Sequence, residues 1–135
     1  MKYLLDTNMC VFALRNKPRA VGDRIQQHSP DDIVISTVTV AELRFGADKS
    51  NRPEENHRQI NDFLLTFDIL MFDSGAADAY GAIRADLERR GQPIGELDML
   101  LAAQAVSQNL IFVTHNTSEF QRVKGLQLED WFESG

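Results

Sequence analysis

Apolar residues along the chain form two alternating patterns, short continuous runs and longer segments with helical spacing. Segment 52–67 has apolar residues at i, i+3, i+4 and i+7, the spacing of one face of an amphipathic helix: Ile60, Phe63, Leu64 and Phe67. The short runs KYLL, IVIS, DILMF and LIFV are typical of strands within a sheet. The pattern therefore predicts strands at 2–5, 33–36, 68–72 and 110–113, and helices at 9–16, 19–27, 37–50, 52–67, 75–91 and 96–109.

Strands that alternate with helices predict an α/β fold with a mainly parallel central sheet flanked by helices. The 135 residues contain no internal repeat, low-complexity tract or linker, so we expect one domain covering residues 1–135. Ligands of such sheets bind beyond the carboxyl ends of the strands. Residues that follow the predicted strands are therefore the first candidates for a functional site.

The composition limits the class of protein. A single cysteine, Cys10, excludes an internal disulfide framework and suits a reducing compartment. No apolar run approaches the ~18 residues that cross a membrane, so we expect a soluble, cytoplasmic protein with no membrane partner. The formal net charge of −6 argues against a generally basic nucleic-acid-binding surface, although the local charge at a site matters more than the sum.

Three carboxylates lie near predicted strand ends or helix starts, and each has a purely structural explanation. Asp6, directly after the first strand, could be the N-cap of the first helix. Thr39 and Glu42 have the spacing of a capping box, in which the glutamate reaches back to the backbone of the cap. Asp98 lies in the first turn of its predicted helix, where the helix dipole favours a negative charge. Taken singly, none of the three requires a functional role.

Taken together, the three carboxylates favour a metal site. We expect them to meet at the same end of the sheet, where like charges repel unless a cation joins them. Hard divalent cations such as Mg²⁺ and Mn²⁺ prefer carboxylate oxygens. A pair of such ions can activate a water molecule and stabilise the leaving oxygen of a phosphodiester. Because two divalent ions carry more charge than three carboxylates, an acidic protein could still bind a phosphate backbone at this face.

Four segments, in their order and spacing, resemble the PIN-domain ribonucleases, and more narrowly the VapC-type toxins of bacterial type II toxin–antitoxin systems. The segments are LLDTN at the start, VTVAELRFGA in the middle, GELDMLLAAQA later and FVTHNTSEF near the end. The resemblance covers essentially the whole chain, including the closing LQLEDWF. It implies a PIN-like fold and a nuclease site built on the carboxylates.

The resemblance also implies roles for individual residues. Asp6, Glu42 and Asp98 match the acidic positions that bind Mg²⁺ or Mn²⁺ and carry catalysis. Thr7 and Asn8 match the polar pair that follows the first acid and supports its geometry. These five candidate site residues are far apart in the sequence, from Asp6 to Asp98, so only the fold can bring them together.

The loop after the fourth predicted strand departs from a pattern of four acids. Asn116, beside Thr114 and His115, stands where the family has a fourth acid or an asparagine, and it would position a water or a second ion. Glu119 and Glu96 are nearby acids that could compensate, although a solvated surface position is the alternative for each. The missing charge of Asn116 puts the strength of a second metal site in question.

Contacts with substrate are less well defined by the sequence. His115, Glu119, Arg44 and Arg84 are the candidates, and Thr114 is a supporting residue. For both arginines the alternative is a solvated helix face, along which the apolar part of the side chain packs.

The function implied by the resemblance is that of a metal-dependent endoribonuclease, a hydrolase that cleaves a tRNA or another structured RNA loop. It implies a homodimer, and a cognate VapB-type antitoxin whose C-terminal segment covers the active site. The antitoxin's other end binds DNA, so the toxin meets DNA only indirectly. Two alternatives stay open. One is a metal-dependent nuclease acting on DNA, or a phosphatase. The other is a catalytically weak PIN-like binding module in a repressor complex, which Asn116 favours.

Overall fold

The computed structural model describes residues 2–132, and its strands and helices alternate along the chain. The strands are β1 Tyr3–Leu5, β2 Ile33–Ser36, β3 Asp68–Leu70, β4 Ile111–Val113 and β5 Gln127–Glu129. The helices are α1 Thr7–Arg15, α2 Arg19–Gln26, α3 Thr37–Asp48, α4 Pro53–Leu64, α5 Ser74–Arg89, α6 Glu96–Ser107 and α7 Thr117–Phe120, with a 3₁₀ turn at Pro30–Asp32. The predicted α/β class is confirmed.

The five strands form one parallel sheet in the order β3-β2-β1-β4-β5, so the first strand of the chain lies at its centre. Tyr3 pairs with Ile33 of β2 on one side and with Ile111 of β4 on the other. The ladder continues one residue past β1, where the Asp6 amide donates to the Val113 carbonyl at 3.0 Å. The central strand thus places Asp6 at the carboxyl end of the sheet.

Alternate residues of the strands point to opposite faces of the sheet and build two cores. On one face, Leu4 and Phe112 pack with α5 and α6. On the other face, Leu5 and Val113 pack with α1, α3 and α4. Helices therefore cover both faces, which is the arrangement expected for a parallel sheet. Among residues 2–132, no helix is long and apolar enough to cross a membrane.

Most predicted boundaries differ from the observed ones by one to three residues. The segment predicted as one helix over 52–67 ends at Leu64, where the Phe67 amide donates to the Leu64 carbonyl in a tighter turn. Phe67 is nevertheless buried and contacts Phe63, so the apolar pattern identified a core residue but extended the helix too far. The edge strand β5 was not predicted, because three residues with little burial carry almost no apolar periodicity.

The segment after β5 closes back over the sheet, and we call residues 129–132 the C-terminal clasp. Trp131 is completely buried, and its indole nitrogen donates to a Glu129 carboxylate oxygen at 2.8 Å. Its ring stacks on His28 with centroids 4.8 Å apart and contacts Tyr3 at 5.2 Å. The clasp therefore fastens the end of the chain to its first strand.

Candidate functional site

Asp6 is both the N-cap of α1 and a buried carboxylate at the end of β1. One oxygen, Oδ1, accepts the Met9 amide at 2.7 Å, and the other, Oδ2, accepts the Thr114 hydroxyl at 2.7 Å. Only 6% of the residue is exposed. The structural explanation offered by the sequence is thus correct for one oxygen, while the second oxygen is fixed from the end of the neighbouring strand β4.

The charge on Asp6 is costly in this structure. Burial raises the pKa of its carboxyl from 3.8 to about 6, against the opposing effect of the two hydrogen bonds. The Asp98 and Glu42 carboxylates add to the rise in the pKa of Asp6, which means that both lie close enough for their charges to act on it. A cation bound among them would remove this cost.

Glu42 does not form the capping box that its spacing with Thr39 predicts. The N-cap of α3 is Ser36, whose hydroxyl accepts the Val38 amide at 2.9 Å. Glu42 therefore lies in the second turn of the helix, too far along to reach the cap. Its Oε1 instead accepts the Thr7 hydroxyl at 2.5 Å. The structural explanation of Glu42 is wrong, and its carboxylate is directed at the start of α1.

Thr7 supports Glu42, whereas the resemblance gave it a role beside Asp6. The Thr7 and Thr39 hydroxyl oxygens are 3.1 Å apart. Since a hydroxyl has one proton and Thr7 gives its proton to Glu42, Thr39 donates to Thr7. Asn8 is exposed, and within residues 2–132 its side chain has no hydrogen bond to Asp6. The polar pair predicted as support for Asp6 is thus replaced by Thr114.

Asp98 lies in the first turn of α6, as predicted, beside an N-cap that has no side chain. A Cβ atom on that residue, Gly95, would lie 3.2 Å from Asp98 Oδ2, so the glycine leaves the carboxylate its space. Burial raises the pKa of Asp98, and the nearby Glu119 and Glu42 carboxylates raise it further. Asp98 therefore belongs to the same electrostatic group as Asp6.

Glu119 supplies a fourth carboxylate, and Asn116 holds it in place through a hydrogen bond. The Asn116 side-chain amide donates to Glu119 Oε2 at 2.7 Å, and its backbone amide donates to the Thr114 hydroxyl at 3.0 Å. Glu119 affects the pKa of Asp98 more than Glu42 does. Glu119 thus lies beside the site, and Asn116 orients its carboxylate. The Asn-x-x-Glu spacing, one helical turn, was the available signal.

The two candidate arginines are each engaged by neighbouring side chains. Arg44 lies 3.0 Å from His57 Nδ1 and donates to Asn61 Oδ1 at 2.5 Å, which turns its guanidinium toward α4. Arg84 donates to Glu88 at 2.8 Å and to the Tyr80 hydroxyl at 2.9 Å. Their observed contacts are those of helix faces, the alternative that the sequence left open.

His115 lies at the surface next to Thr114. Its Nδ1 is 2.9 Å from Asp130 Oδ2, and its ring stacks on Phe132 of the clasp with centroids 3.9 Å apart. The side chain is 46% exposed. The candidate substrate contact is therefore held in place and still accessible.

The donor set fits a hard divalent cation. In the described part of the chain, no lysine, arginine or histidine pairs with Asp6, Glu42, Asp98 or Glu119, so four carboxylates share the site without a counter-charge. Within residues 2–132, no three His, Cys, Asp or Glu side chains are yet close enough to enclose one ion. Such a site suits Mg²⁺, which keeps several of its waters.

Two grooves meet at Glu42 and Thr7. The first runs between α1, α3 and α4 and includes Arg15. The second is mainly apolar, and the residues that line it beside Glu42 and Thr7 are Val38, Ala41, Phe45, Leu97 and Leu100. Phe45 is 64% exposed there and Leu97 47%. Apolar side chains exposed together beside a polar site are typical of a surface that binds another molecule.

Comparison with known proteins gives consistent matches over nearly the whole chain. The family described as PIN domain matches residues 3–126. A Shigella flexneri protein named tRNA(fMet)-specific endonuclease VapC is 46% identical over 97% of this chain and 98% of its own. DNA-bound VapBC from Salmonella typhimurium contains a chain with a TM-score of 0.92 and 40% identity, over 97% of this chain and 98% of that one. VapBC2 from Rickettsia felis, bound to a DNA fragment from their promoter, also gives 0.92, at 36% identity, over 97% and 99%.

Proposed function

We propose that this chain, which belongs to the PIN domain family, cleaves RNA as the toxin of a toxin–antitoxin pair. Its relatives include the VapC ribonucleases. The observation that carries the proposal is a group of carboxylates from four separate elements at the carboxyl end of β1. In a parallel sheet this end is where ligands bind. The reaction is hydrolysis of a phosphodiester.

We propose Mg²⁺ or Mn²⁺ as the cofactor, held by Asp6, Glu42 and Asp98, with Glu119 as the fourth acid. The support is the oxygen-only donor set and the raised pKa values of Asp6 and Asp98, which a cation would lower again. When bound, such an ion supplies an activated water and positive charge at the reacting phosphodiester. Asn116 would serve this site through Glu119 and not as a ligand itself.

The chain's own residues hold the carboxylates in position for this chemistry. The Met9 amide and the Thr114 hydroxyl each fix one oxygen of Asp6. The Thr39 hydroxyl donates to Thr7, which donates to Glu42, so a short relay of hydroxyls orients that carboxylate. Such outer contacts set ligand geometry, and their loss typically lowers activity 10- to 100-fold.

The substrate we propose to test first is tRNA(fMet), because the Shigella flexneri relative is named for cleavage of it. An acidic chain could bind RNA at this face because bound divalent cations would offset the negative charge of the four carboxylates. DNA and simple phosphate esters are the competing substrates.

The function is tested by incubating purified, antitoxin-free protein with a tRNA(fMet) transcript in Mg²⁺ and in EDTA. We expect discrete cleavage in Mg²⁺, its loss in EDTA, and its recovery when Mg²⁺ is added back. Glu42→Gln and Glu119→Gln should each lower the rate about 10- to 100-fold, because each removes a carboxylate charge from the site while keeping its shape. Glu54→Gln, at an exposed position of α4, is the matched control and should leave the rate unchanged.

Four results would contradict the proposal or a part of it. Cleavage at an unchanged rate in EDTA would argue against the metal, and an unchanged rate for Glu42→Gln would argue against Glu42 as a ligand. If folded wild-type protein cleaves no RNA in Mg²⁺ or Mn²⁺, the binding-module alternative is favoured. Cleavage of DNA at a comparable rate would favour the general nuclease.

The partner we propose is a cognate antitoxin whose C-terminal segment lies in the apolar groove and covers the carboxylates. Three relatives of known structure are VapBC complexes, and two of these are bound to DNA. The groove offers exposed Phe45 and Leu97 directly beside Glu42. A basic, apolar peptide would match the acidic chain. The homodimer and the indirect contact with DNA stay predictions.

Phe45→Asp should weaken binding of the antitoxin at least about tenfold, because an aromatic side chain that the antitoxin would cover is lost and a charge enters the groove. Met71→Asp is the matched control, since Met71 is 73% exposed and lies outside the groove. The measurement is titration calorimetry of each toxin variant with the antitoxin. Equal affinities for wild type and Phe45→Asp would place the antitoxin on another surface.

A further inference from the structure

Three aromatic rings form a ladder that ends beside the carboxylate site. Phe12 of α1 contacts Phe132 of the clasp edge-on, with ring centroids 5.0 Å apart. Phe132 in turn stacks on His115 at 3.9 Å, with the ring planes 21° apart. We call Phe12, Phe132 and His115 the aromatic ladder. Its last ring, His115, is the accessible one.

The chain position of His115 ties it to the site. The residue before it, Thr114, donates to Asp6, and the residue after it, Asn116, donates to Glu119. His115 thus stands between the two residues that hold two of the four carboxylates. A group that binds this imidazole would contact segment 114–116, which holds Asp6 and Glu119 in place.

The imidazole is held more firmly than an ordinary surface histidine. Asp130 contacts its Nδ1 at 2.9 Å, and Phe132 supports the ring from one side. A role in fastening the clasp accounts for both contacts. It does not account for the exposure of nearly half of the side chain, because a purely structural contact gains from being covered.

We propose that His115 is a stacking platform for a nucleobase of the RNA, next to the phosphodiester that is cleaved; this inference rests on the proposed function. Sequence-specific recognition of RNA favours unpaired bases, which stack on aromatic side chains including histidine. A ring that is already fixed by Asp130 and Phe132 loses little freedom when a base stacks on it. The ladder therefore binds and orients the RNA, while the carboxylates serve the reaction.

His115→Ala and His115→Phe separate stacking from a structural role. Both variants lose the contact with Asp130, but only phenylalanine keeps an aromatic face. With tRNA(fMet) as substrate, we expect His115→Ala to raise KM about tenfold, with kcat within about twofold of wild type. His115→Phe should keep KM within about twofold. The melting temperature of His115→Phe should be at least that of His115→Ala, because both lose the hydrogen bond with Asp130 but only phenylalanine keeps a ring against Phe132.

A second measurement keeps the inference separate from the proposed function. Asp6→Asn protein, which should bind without cleaving, is compared with the Asp6→Asn/His115→Ala double variant for affinity to the same transcript. An approximately tenfold weaker affinity in the double variant supports the platform. The inference is overturned if the two affinities agree, if neither protein binds RNA, or if His115→Phe is as impaired in KM as His115→Ala. Absence of cleavage by wild type would instead contradict the proposed function alone.

Discussion

Replacing Asp6 by asparagine is expected to lower RNA cleavage at least about 1000-fold and, in metal-free protein, to stabilise the fold. The side-chain oxygen of asparagine can still accept the Met9 amide, and its NH₂ group can donate to the Thr114 hydroxyl oxygen. Asparagine is also a good N-cap. What it removes is the negative charge that the proposed metal site needs. The loss of activity is therefore not a loss of structure.

The stability effect has a defined pH dependence. The pKa of Asp6 is 3.8 ordinarily and about 6 in the folded chain, so between these values the folded protein binds more protons than the unfolded chain. Wild-type stability consequently falls as pH rises from about 4 to about 6, and then stays constant as far as Asp6 is concerned. Above pH 7 the free energy of unfolding of Asp6→Asn should exceed that of wild type by up to about 3 kcal/mol.

Urea unfolding of both proteins between pH 4 and 8, in EDTA and in Mg²⁺, measures this effect. Mg²⁺ should stabilise wild type more than Asp6→Asn, because the variant has lost one of the proposed ligands and keeps the others. Asp62→Asn, at an exposed position of α4, is the control for a simple change of net charge. Equal stabilisation of both proteins by Mg²⁺ would show that Asp6 is not a ligand.

Replacing Trp131 by alanine is expected to lower the free energy of unfolding by about 3–5 kcal/mol. The indole is fully buried, stacks on His28 and gives its N–H to Glu129, so truncation leaves a cavity and removes a partner of that carboxylate. Trp131→Phe keeps an aromatic ring but loses the hydrogen bond to Glu129, so it should lower the free energy of unfolding by about 1–2 kcal/mol. Circular dichroism in urea gives both values.

Circular dichroism is preferable to fluorescence for this comparison, because Trp131 is the only tryptophan of the chain. Phe132→Ala, which shortens the aromatic ladder at a half-buried position, is the matched control and should cost less than Trp131→Ala. A cost below about 1 kcal/mol for Trp131→Ala would mean that the clasp does not stabilise the domain.

The sequence was sufficient for what depends on local pattern. Apolar runs predicted four of the five strands, and the residues after them included Asp6. The sequence was insufficient where contacts join distant segments. Thr39 and Glu42 matched a capping box, but the cap of α3 is Ser36, and Glu42 is held by Thr7 from another helix. No rule of helix or strand spacing predicts a hydrogen bond between residues 35 positions apart.

Glu119 illustrates the same limit from the opposite direction. Its position in the sequence is that of an ordinary surface acid, and only the approach of α6 to α7 makes it a neighbour of Asp98. The signal that could have identified it was Asn116 one helical turn earlier, which the structure shows donating to its carboxylate. Likewise, the closing LQLEDWF gave no sign that Trp131 would be buried against Tyr3.

The central place of β1 has a consequence for the synthesis of the protein. Asp6 is synthesised well before Thr114, which fixes one of its oxygens and follows 108 positions later. The strand that carries Asp6 has only one neighbour in the sheet until β4 has been made. A chain interrupted before that point lacks Thr114 and Glu119 together. The proposed nuclease site is therefore assembled only after the segment with Thr114 and Glu119 has emerged, and translation products that end before it carry no complete site.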